Sequence, residues 1–348
     1  MQNPDKALTL LSSDLFTFAS FITSSPQMTT TAVPSGISLS SWLLAVSAIA
    51  TVGYQLLFFF VAAVFRFDKV TDLAGGSNFI LVALLVFFLG PENTSTISVR
   101  QWVVTIGVIA WGVRLSGFLF YRILVTEEDS RFDGIREDLV KFSVFWLFQM
   151  VWVFATSLTV IYINGIDDIA ALTYADYIGW ALALLGLLIE TVADAEKFSF
   201  RQRRDQDKRD AFIRNGTWAW SRHPNYFGEL AFWWGIFITV SQSFATPQRS
   251  DPTGYFTLLS PGFITLLLLF GSGLPIVEVT SNKKLRQSES FRRYRDETSI
   301  LIPLPPAMWR TLPPWLKAAL FEWPMYAEGL DDPLAQDLIP PRAPTNQL

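Results

Sequence analysis

Five polar side chains of different chemistry occur within the eight residues from Arg222 to Glu229. They are a guanidinium, an imidazole, an amide, a phenol and a carboxylate, from Arg222, His223, Asn225, Tyr226 and Glu229. Glu229 precedes an apolar run, where a carboxylate is costly unless it has a partner or a ligand. Two interpretations stay open. The stretch is either a binding or catalytic site, or an interfacial turn in which Pro224 starts a helix and Arg222 contacts lipid phosphate.

A second group of charges surrounds Glu190 and Asp194, which are four residues apart. At that spacing both carboxylates lie on one face of a helix, where they repel each other unless a guanidinium, an amide or ribose hydroxyls bind them. A basic stretch follows directly, with Lys197, Arg201, Arg203, Arg204, Lys208, Arg209 and Arg214. Guanidinium groups bind phosphate well. The same bias also arises in any cytoplasmic loop beside anionic lipid, so both explanations stay open.

Three further polar residues, Arg114, Gln149 and Glu278, interrupt apolar stretches. Arg114 cannot lose its charge, so it is expected to face other helices and to pair with an acid. We predict Asp72 or Glu229 as that partner.

The composition narrows the class of protein. Of the 348 residues, 51% are hydrophobic and 17% charged, whereas about a quarter is charged in an ordinary soluble protein. The chain has no cysteine and one histidine, which excludes disulfides, thiolate–zinc sites and multi-histidine metal centres. The net charge of −4 argues against a nucleic-acid partner.

The elements that must position these side chains are transmembrane helices. A helix needs about 20 apolar residues to cross a bilayer. The sequence predicts seven such spans, near 41–65, 76–90, 101–121, 142–163, 177–195, 229–246 and 255–276. The runs lack the alternation of a membrane β-barrel. The expected fold is therefore an all-α integral membrane bundle. Gly271-Ser272-Gly273 lies within the last span and is merely compatible with helix packing.

Lysine and arginine set the orientation. The segments 66–77, 122–141, 196–228 and 276–315 hold 21 of them, and the intervening segments hold 3. This predicts an outside N-terminus and a cytoplasmic C-terminus, in the endoplasmic reticulum of a eukaryote or the plasma membrane of a bacterium. We divide the chain into a polar segment 1–40, a transmembrane domain 41–305 and a proline-rich, partly disordered tail 306–348.

Several motifs together resemble the signature of an uncharacterised membrane family allied to the C-terminal domain of steroid 5-alpha-reductases. The motifs are Gly216–Glu229 with Trp233-Trp234-Gly235, Trp111–Leu115, Glu128–Phe132, Glu190–Asp194, Glu278 and Phe291–Tyr294. The Arg-His-Pro-x-Tyr core is also similar to isoprenylcysteine carboxyl methyltransferases and, more distantly, to sterol reductases.

The resemblance implies a cytoplasm-facing cavity that holds NADPH in a seven-helix bundle. Glu190 and Asp194 would contact the adenosine or ribose, and Arg201 and Arg204 the phosphates. Asn225 and Glu229 would hold the nicotinamide carboxamide. The rest of the cofactor wall would come from Arg222, His223, Tyr226 and Tyr294.

We therefore predict an NADPH-dependent reductase of an activated C=C bond in a lipid or sterol-like substrate. The catalytic assignments are Glu229 and, as alternative proton donors to the developing enolate, Tyr226 and His223. One alternative is an S-adenosylmethionine-dependent methyltransferase of a lipophilic acceptor. Another is a lipid-binding or scaffold protein without turnover.

Overall fold

The structure is a computed structural model that describes residues 39–65, 70–90, 97–126, 134, 138–166, 171–207, 212–246, 249–250 and 252–330. Of residues 39–40, 204–207, 245–246 and 249–250 it describes the backbone alone. Most of the predicted N-terminal segment and the tail after residue 330 lie outside the described residues.

The described part of the chain is helical, as predicted. Its α-helices are α1 Leu39–Phe65, α2 Val70–Leu89, α3 Val99–Thr126, α4 Leu139–Asn164, α5 Tyr174–Asp207, α6 Pro224–Ser241, α7 Leu259–Phe270, α8 Leu274–Leu285, α9 Glu289–Glu297, α10 Pro306–Thr311 and α11 Pro314–Ala319. Short 3₁₀ helices cover Gly216–Ala219, Pro252–Leu258 and Pro324–Ala327. One antiparallel pair of two-residue strands, β1 Ala245–Thr246 and β2 Arg249–Ser250, follows α6.

Six helical stretches are long and apolar enough to cross a membrane, which makes the chain a multi-pass membrane protein. They are Ser41–Phe65, Val70–Leu89, Val99–Val125, Leu139–Asn164, Tyr174–Arg203 and Pro252–Leu285. The remaining predicted span, 229–246, coincides with α6, which is not among the six. Asn225 and Glu229 in the first turns of α6 lower its apolar character.

Helix α6 packs along α5 at glycine contacts. A Cβ atom on Gly228 would lie 2.6 Å from the carbonyl oxygen of Gly186 and 2.7 Å from the backbone nitrogen of Glu190. One on Gly235 would lie 2.6 Å from the carbonyl oxygen of Gly179. Because only glycine permits backbones to approach this closely, these residues bring Glu190 against the first turns of α6.

The last predicted span, 255–276, is interrupted where we expected a continuous helix. Helix α7 ends at Phe270 and α8 begins at Leu274, so the Gly271–Gly273 segment separates two helices. The predicted span therefore consists of two helices, and Gly271 and Gly273 lie between them. Glycine is a poor helix former, and Pro275 in the first turn of α8 has no N–H to continue a hydrogen-bond ladder. The break precedes Glu278, which lies in the second turn of α8.

Residues 306–330, within the predicted tail, pack on the bundle. The indole of Trp309 and the phenol of Tyr326 are both buried. The Tyr326 hydroxyl donates to the carbonyl oxygen of Leu269 at 2.6 Å. The stacked rings of Trp323 and Phe270 lie 5.1 Å apart. This part of the chain therefore covers the end of α7.

Candidate functional site

One guanidinium binds both acids of the Glu190–Asp194 pair. Arg114 on α3 donates through Nη1 to Oε1 of Glu190 and through Nη2 to Oδ2 of Asp194. Its Nη2 also lies 3.2 Å from the backbone carbonyl oxygen of Glu190. The four-residue spacing on α5 aims both carboxylates at α3, as the helical period requires. The guanidinium of Arg114 therefore supplies one of the kinds of donor that we predicted for the two carboxylates.

The predicted partners of Arg114, Asp72 and Glu229, were wrong. Asp72 lies in the first turn of α2, and its Oδ2 is 3.2 Å from Nη2 of Arg122 near the end of α3. Because α2 and α3 run antiparallel, Asp72 faces the end of α3 and not Arg114, two turns earlier. The Glu229 carboxylate interacts electrostatically with the Arg114 guanidinium but forms no hydrogen bond to it, and the hydrogen bonds of that guanidinium go to Glu190 and Asp194.

Two neutral donors complete the hydrogen bonding of the acid pair. The indole Nε1 of Trp111 donates to Oε2 of Glu190 at 3.1 Å. The amide Nδ2 of Asn225 on α6 donates to Oδ1 of Asp194 at 3.1 Å. The predicted amide donor is therefore present. The role of Trp111 was missed, although it precedes Arg114 by three residues and so shares its helix face.

Two acceptors beside this pair are unmatched among the described residues. The Oδ1 atom of Asn225 is buried without a hydrogen-bond partner. Glu229, one turn later on α6, makes no hydrogen bond or ion pair with a described residue. We call Arg114, Glu190, Asp194, Asn225 and Glu229 the acid site. With three carboxylates and one guanidinium, it favours a ligand that donates hydrogen bonds or carries positive charge.

The residues just before α6 belong to a different network, the charge cluster, formed by Arg222, His223, Glu278, Arg295 and Glu322. Arg222 Nη2 lies 2.7 Å from Glu322 Oε1 and 3.4 Å from Glu278 Oε2. Arg295 Nε lies 3.5 Å from Glu278 Oε2. The Nε2 atom of His223 lies 2.6 Å from Glu278 Oε1. These contacts join the start of α6 to α8, α9 and the C-terminal segment.

The imidazole of His223 is neutral in the charge cluster. Burial lowers the pKa of His223, and this outweighs the opposing effect of Glu278. A neutral ring next to a carboxylate donates from Nε2, which leaves Nδ1 as an acceptor. Nδ1 is buried and has no partner among the described residues. His223 is thus placed to orient Glu278, with no N–H left for another group.

Arg222 and Tyr294 are likewise held by protein groups. Burial alone would lower the pKa of Arg222, but Glu278 and Glu322 raise it above its ordinary value, so the guanidinium stays charged. Burial raises the pKa of Tyr294, whose hydroxyl donates to the carbonyl oxygen of Trp218 at 2.7 Å. The Tyr226 ring stacks on His223 of the charge cluster with centroids 5.4 Å apart, and Tyr226 follows Asn225 of the acid site directly in sequence.

The basic residues from Lys197 to Arg204 lie on a helix and not, as expected, in a loop, because α5 continues to Asp207. Arg201 is exposed in the last turns of α5. Arg204 belongs to the same helix, and its side chain lies outside the described residues. The Lys197 ammonium lies 4.6 Å above the ring of Trp218. The phosphate assignment of Arg201 and Arg204 stays a prediction.

A shallow cavity of about 550 Å³ adjoins this end of α5. Its lining is Val192, Ala195, Glu196, Ser199, Gln202, Arg203 and Asn215. These residues do not include the predicted cofactor ligands. A cofactor cavity over Asn225 and Glu229 therefore stays a prediction.

Sequence reasoning also missed Glu322 and Arg295. Arg295 follows the quoted Phe291–Tyr294 motif by one residue. Glu322 is an isolated acid in an aromatic-rich stretch, 100 residues from its partner Arg222. An acid among apolar and aromatic residues is the only signal that the sequence offers for Glu322.

The family described as "Protein of unknown function (DUF1295)" matches residues 58–298. No curated protein matches the chain, and no solved structure does. The matched region contains the whole acid site and, except for Glu322, the charge cluster. Since this match covers more than half of the 348 residues, the chain belongs to the DUF1295 family.

Proposed function

We propose that this protein is a membrane-embedded, NADPH-dependent reductase of an activated C=C bond in a lipid or sterol-like substrate. The observation that carries the proposal is the pair of unmatched acceptors, Asn225 Oδ1 and the Glu229 carboxylate, one helical turn apart on α6. The NH₂ group of a nicotinamide carboxamide has two N–H donors, which suit two acceptors. The resemblance of the motifs to the steroid 5-alpha-reductase C-terminal domain supports the same assignment.

The other members of the acid site act as supports in this proposal. Glu190 and Asp194 already accept hydrogen bonds from Arg114, Trp111 and Asn225. Their role toward a ribose is therefore secondary to fixing the Asn225 amide so that its Nδ2 donates to Asp194 and its Oδ1 stays unpaired. This orientation is set before a ligand arrives, and preorganised polar groups bind at lower cost than groups that must first reorient.

When bound, NADPH supplies a hydride to the substrate. The chain supplies orientation through Asn225 and Glu229 and phosphate contacts through Arg201 and Arg204. It also supplies the proton that the substrate takes up. Tyr226 is the proton donor we propose, because the Nε2 proton of His223 is held by Glu278.

We propose α6 as the seventh span, although its polar first turns distinguish it from the other six. Its close contact with α5 and its buried residues Phe232, Trp233 and Ile236 support a position inside the bundle. With the N-terminus outside, the end of α5 and the start of α6 face the cytoplasm, where NADPH is available.

The negative charge of the acid site favours a second function. S-adenosylmethionine carries a sulfonium and an ammonium cation, which three carboxylates beside one guanidinium would attract. A methyltransferase of a lipophilic acceptor is therefore the alternative enzyme. A lipid-binding or scaffold protein without turnover is the alternative from another class.

The test is a titration of the purified full-length protein in nanodiscs with NADPH, NADH and S-adenosylmethionine, followed by fluorescence. We expect saturable binding of NADPH, weakened about tenfold in Glu229→Gln, which corresponds to about 1.4 kcal/mol. Glu289→Gln is the matched control, because Glu289 is an exposed carboxylate in the first turn of α9.

Saturable S-adenosylmethionine binding without NADPH binding would replace the reductase by the methyltransferase. Absence of binding by all three compounds would favour a protein without cofactor chemistry.

A further inference from the structure

Three uncharged amide side chains form a hydrogen-bonded chain between α1, α2 and α4. Gln149 Nε2 donates to Gln55 Oε1 at 2.9 Å, and Gln55 Nε2 donates to Asn78 Oδ1 at 3.0 Å. We call these three residues the amide relay. Gln55 and Asn78 are both 0% exposed. The relay lies in the N-terminal half of the bundle, on other helices than the acid site.

The direction of the relay is set by a backbone carbonyl group. The Gln149 amide atom that bonds to Gln55 also lies 3.2 Å from the carbonyl oxygen of Thr71. It must therefore be the nitrogen, because two oxygens at that distance would repel. The next amide then accepts from Gln149 and donates to Asn78. Both hydrogen bonds between the amides therefore run from Gln149 towards Asn78.

The relay ends in an unmatched donor. Nδ2 of Asn78 is buried and has no hydrogen-bond partner among the described residues. Inside a bilayer no bulk water can match such a group, so leaving it unpaired is costly. In a chain of hydrogen bonds, moreover, each bond polarises the next. The terminal N–H groups of Asn78 are therefore stronger donors than those of an isolated amide.

Two hydroxyl groups extend this polar surface along α1. Ser47, Thr51 and Gln55 recur every four residues, so they share one face of the helix. The Ser47 and Thr51 hydroxyls are buried and unmatched among the described residues. In membrane helices such hydroxyls usually bond to the carbonyl one turn earlier. Here they are left for another acceptor.

We propose that Asn78, Thr51 and Ser47 form a binding site within the bilayer for a neutral, oxygen-bearing lipophile. The ligand's carbonyl oxygen accepts from Asn78 Nδ2, and its hydrocarbon part lies along α1. The three side chains and the relay contain no ionisable group, so they match a neutral acceptor better than an anion. Helix α1 packs on α2 and α4 and exposes Ile49 and Phe60 on its other face, so lipid borders the helix that carries Ser47 and Thr51.

The site lies one aromatic layer from the acid site. Phe79 follows Asn78, and its ring centroid is 5.1 Å from that of Trp111. The Trp111 indole in turn donates to Glu190. A substrate bound at Asn78 would thus approach a cofactor at the acid site. The lipophile site itself does not depend on the proposed reductase function.

The competing occupant is ordered water, which commonly bridges unmatched polar groups. The probe that separates the two is 2-hexadecanone labelled with ¹³C at the carbonyl, compared with hexadecane, which has the same hydrocarbon character and no acceptor. The full-length protein in nanodiscs is titrated with each probe, with empty nanodiscs as reference. The readouts are affinity and the infrared band of the labelled carbonyl.

We expect 2-hexadecanone to give a carbonyl band at lower wavenumber that saturates at about one equivalent, and to bind about tenfold more tightly than hexadecane, the worth of one good hydrogen bond. Asn78→Leu should remove the shifted band and the difference in affinity. Gln149→Leu should reduce both, because it removes the start of the relay. Thr156→Val is the matched control, since it removes an unmatched buried hydroxyl elsewhere on α4.

Equal affinity of wild-type protein for the ketone and the hydrocarbon would overturn the proposal and leave water as the occupant. That comparison needs no variant, so it decides even if Asn78→Leu fails to fold. Titration of the same samples with NADPH tests the reductase separately. A protein that binds the ketone through Asn78 without binding NADPH would keep this inference and lose the proposed function.

Discussion

The close approach of α5 and α6 makes Gly228→Ala the most informative single change. The added Cβ would lie 2.6 Å from the Gly186 carbonyl oxygen, 2.7 Å from the Glu190 backbone nitrogen and 2.8 Å from Glu190 Cβ. Ordinary contacts between such atoms are about 3.5 Å or longer. None of the three atoms is the end of a flexible side chain, so the two helices must separate by roughly 1 Å.

The energetic cost follows from this overlap. Inserting a methyl group into a packed interface costs about 1–3 kcal/mol. Alanine regains about 0.5–1 kcal/mol over glycine through helix propensity. The expected net loss in the free energy of unfolding is about 0.5–2 kcal/mol, the difference of these two effects. Gly262→Ala on α7 is the control, because its Cβ would meet no atom within 4 Å and only the propensity gain applies.

The separation of the helices also acts on the acid site. The hydrogen bond from Asn225 Nδ2 to Asp194 Oδ1 is 3.1 Å long, and an increase of roughly 1 Å would break it. Thermal unfolding in detergent should therefore show a lower midpoint for Gly228→Ala than for Gly262→Ala, and NADPH titration a weaker affinity. If both variants unfold at the same temperature, the two backbones are not in contact and the placement of Glu190 beside α6 is refuted.

Three further predictions concern the buried charges. Arg114→Met leaves Glu190 and Asp194 without their shared cation and should lower the free energy of unfolding by about 3–5 kcal/mol. The triple variant that adds Glu190→Gln and Asp194→Asn should recover most of this stability. A triple variant as unstable as Arg114→Met would contradict the pairing. Glu322→Gln should lower the unfolding midpoint by weakening the Arg222 contact, whereas Glu328→Gln, an exposed acid nearby, should leave it unchanged. His223 is neutral in the fold because burial lowers its pKa. As the pH falls below about 6.5, the unfolded chain therefore takes up a proton before the folded chain does, and the protein loses stability. Unfolding midpoints measured between pH 5 and 8 should show this loss in the wild type and a smaller loss in His223→Gln.

The sequence predicts the parts of the fold that depend on local pattern. Long apolar runs specify membrane helices, and the four-residue spacing of Glu190 and Asp194 specifies a shared face. The partner of Arg114 could not be predicted in this way, because it depends on which helices become neighbours and at what depth their residues meet. The acid pair needed a guanidinium and Arg114 needed an acid. The sequence contains several arginines and several acids that could have formed this ion pair, so it did not identify the partner.

Long-range contacts escaped prediction for the same reason. Gln55 gave no signal by itself, since one amide in an apolar run has many uses and only the Ser47-Thr51-Gln55 spacing marks a polar face. The break before α8 was visible as Gly271, Gly273 and Pro275, but glycine within a membrane helix also serves close helix packing, so the pattern did not predict a break.

The division of the Arg222–Glu229 stretch between two networks explains why so many polar residues occur together. Pro224 starts α6, so Arg222 and His223 lie before the helix and contact α8, α9 and the C-terminal segment. Asn225 and Glu229 lie one turn apart on α6. The charge cluster fixes where α6 begins, and the position of its first turn determines where the Asn225 amide meets Asp194. A change in the charge cluster should therefore reach the acid site through the start of α6, even though the two networks share no side chain.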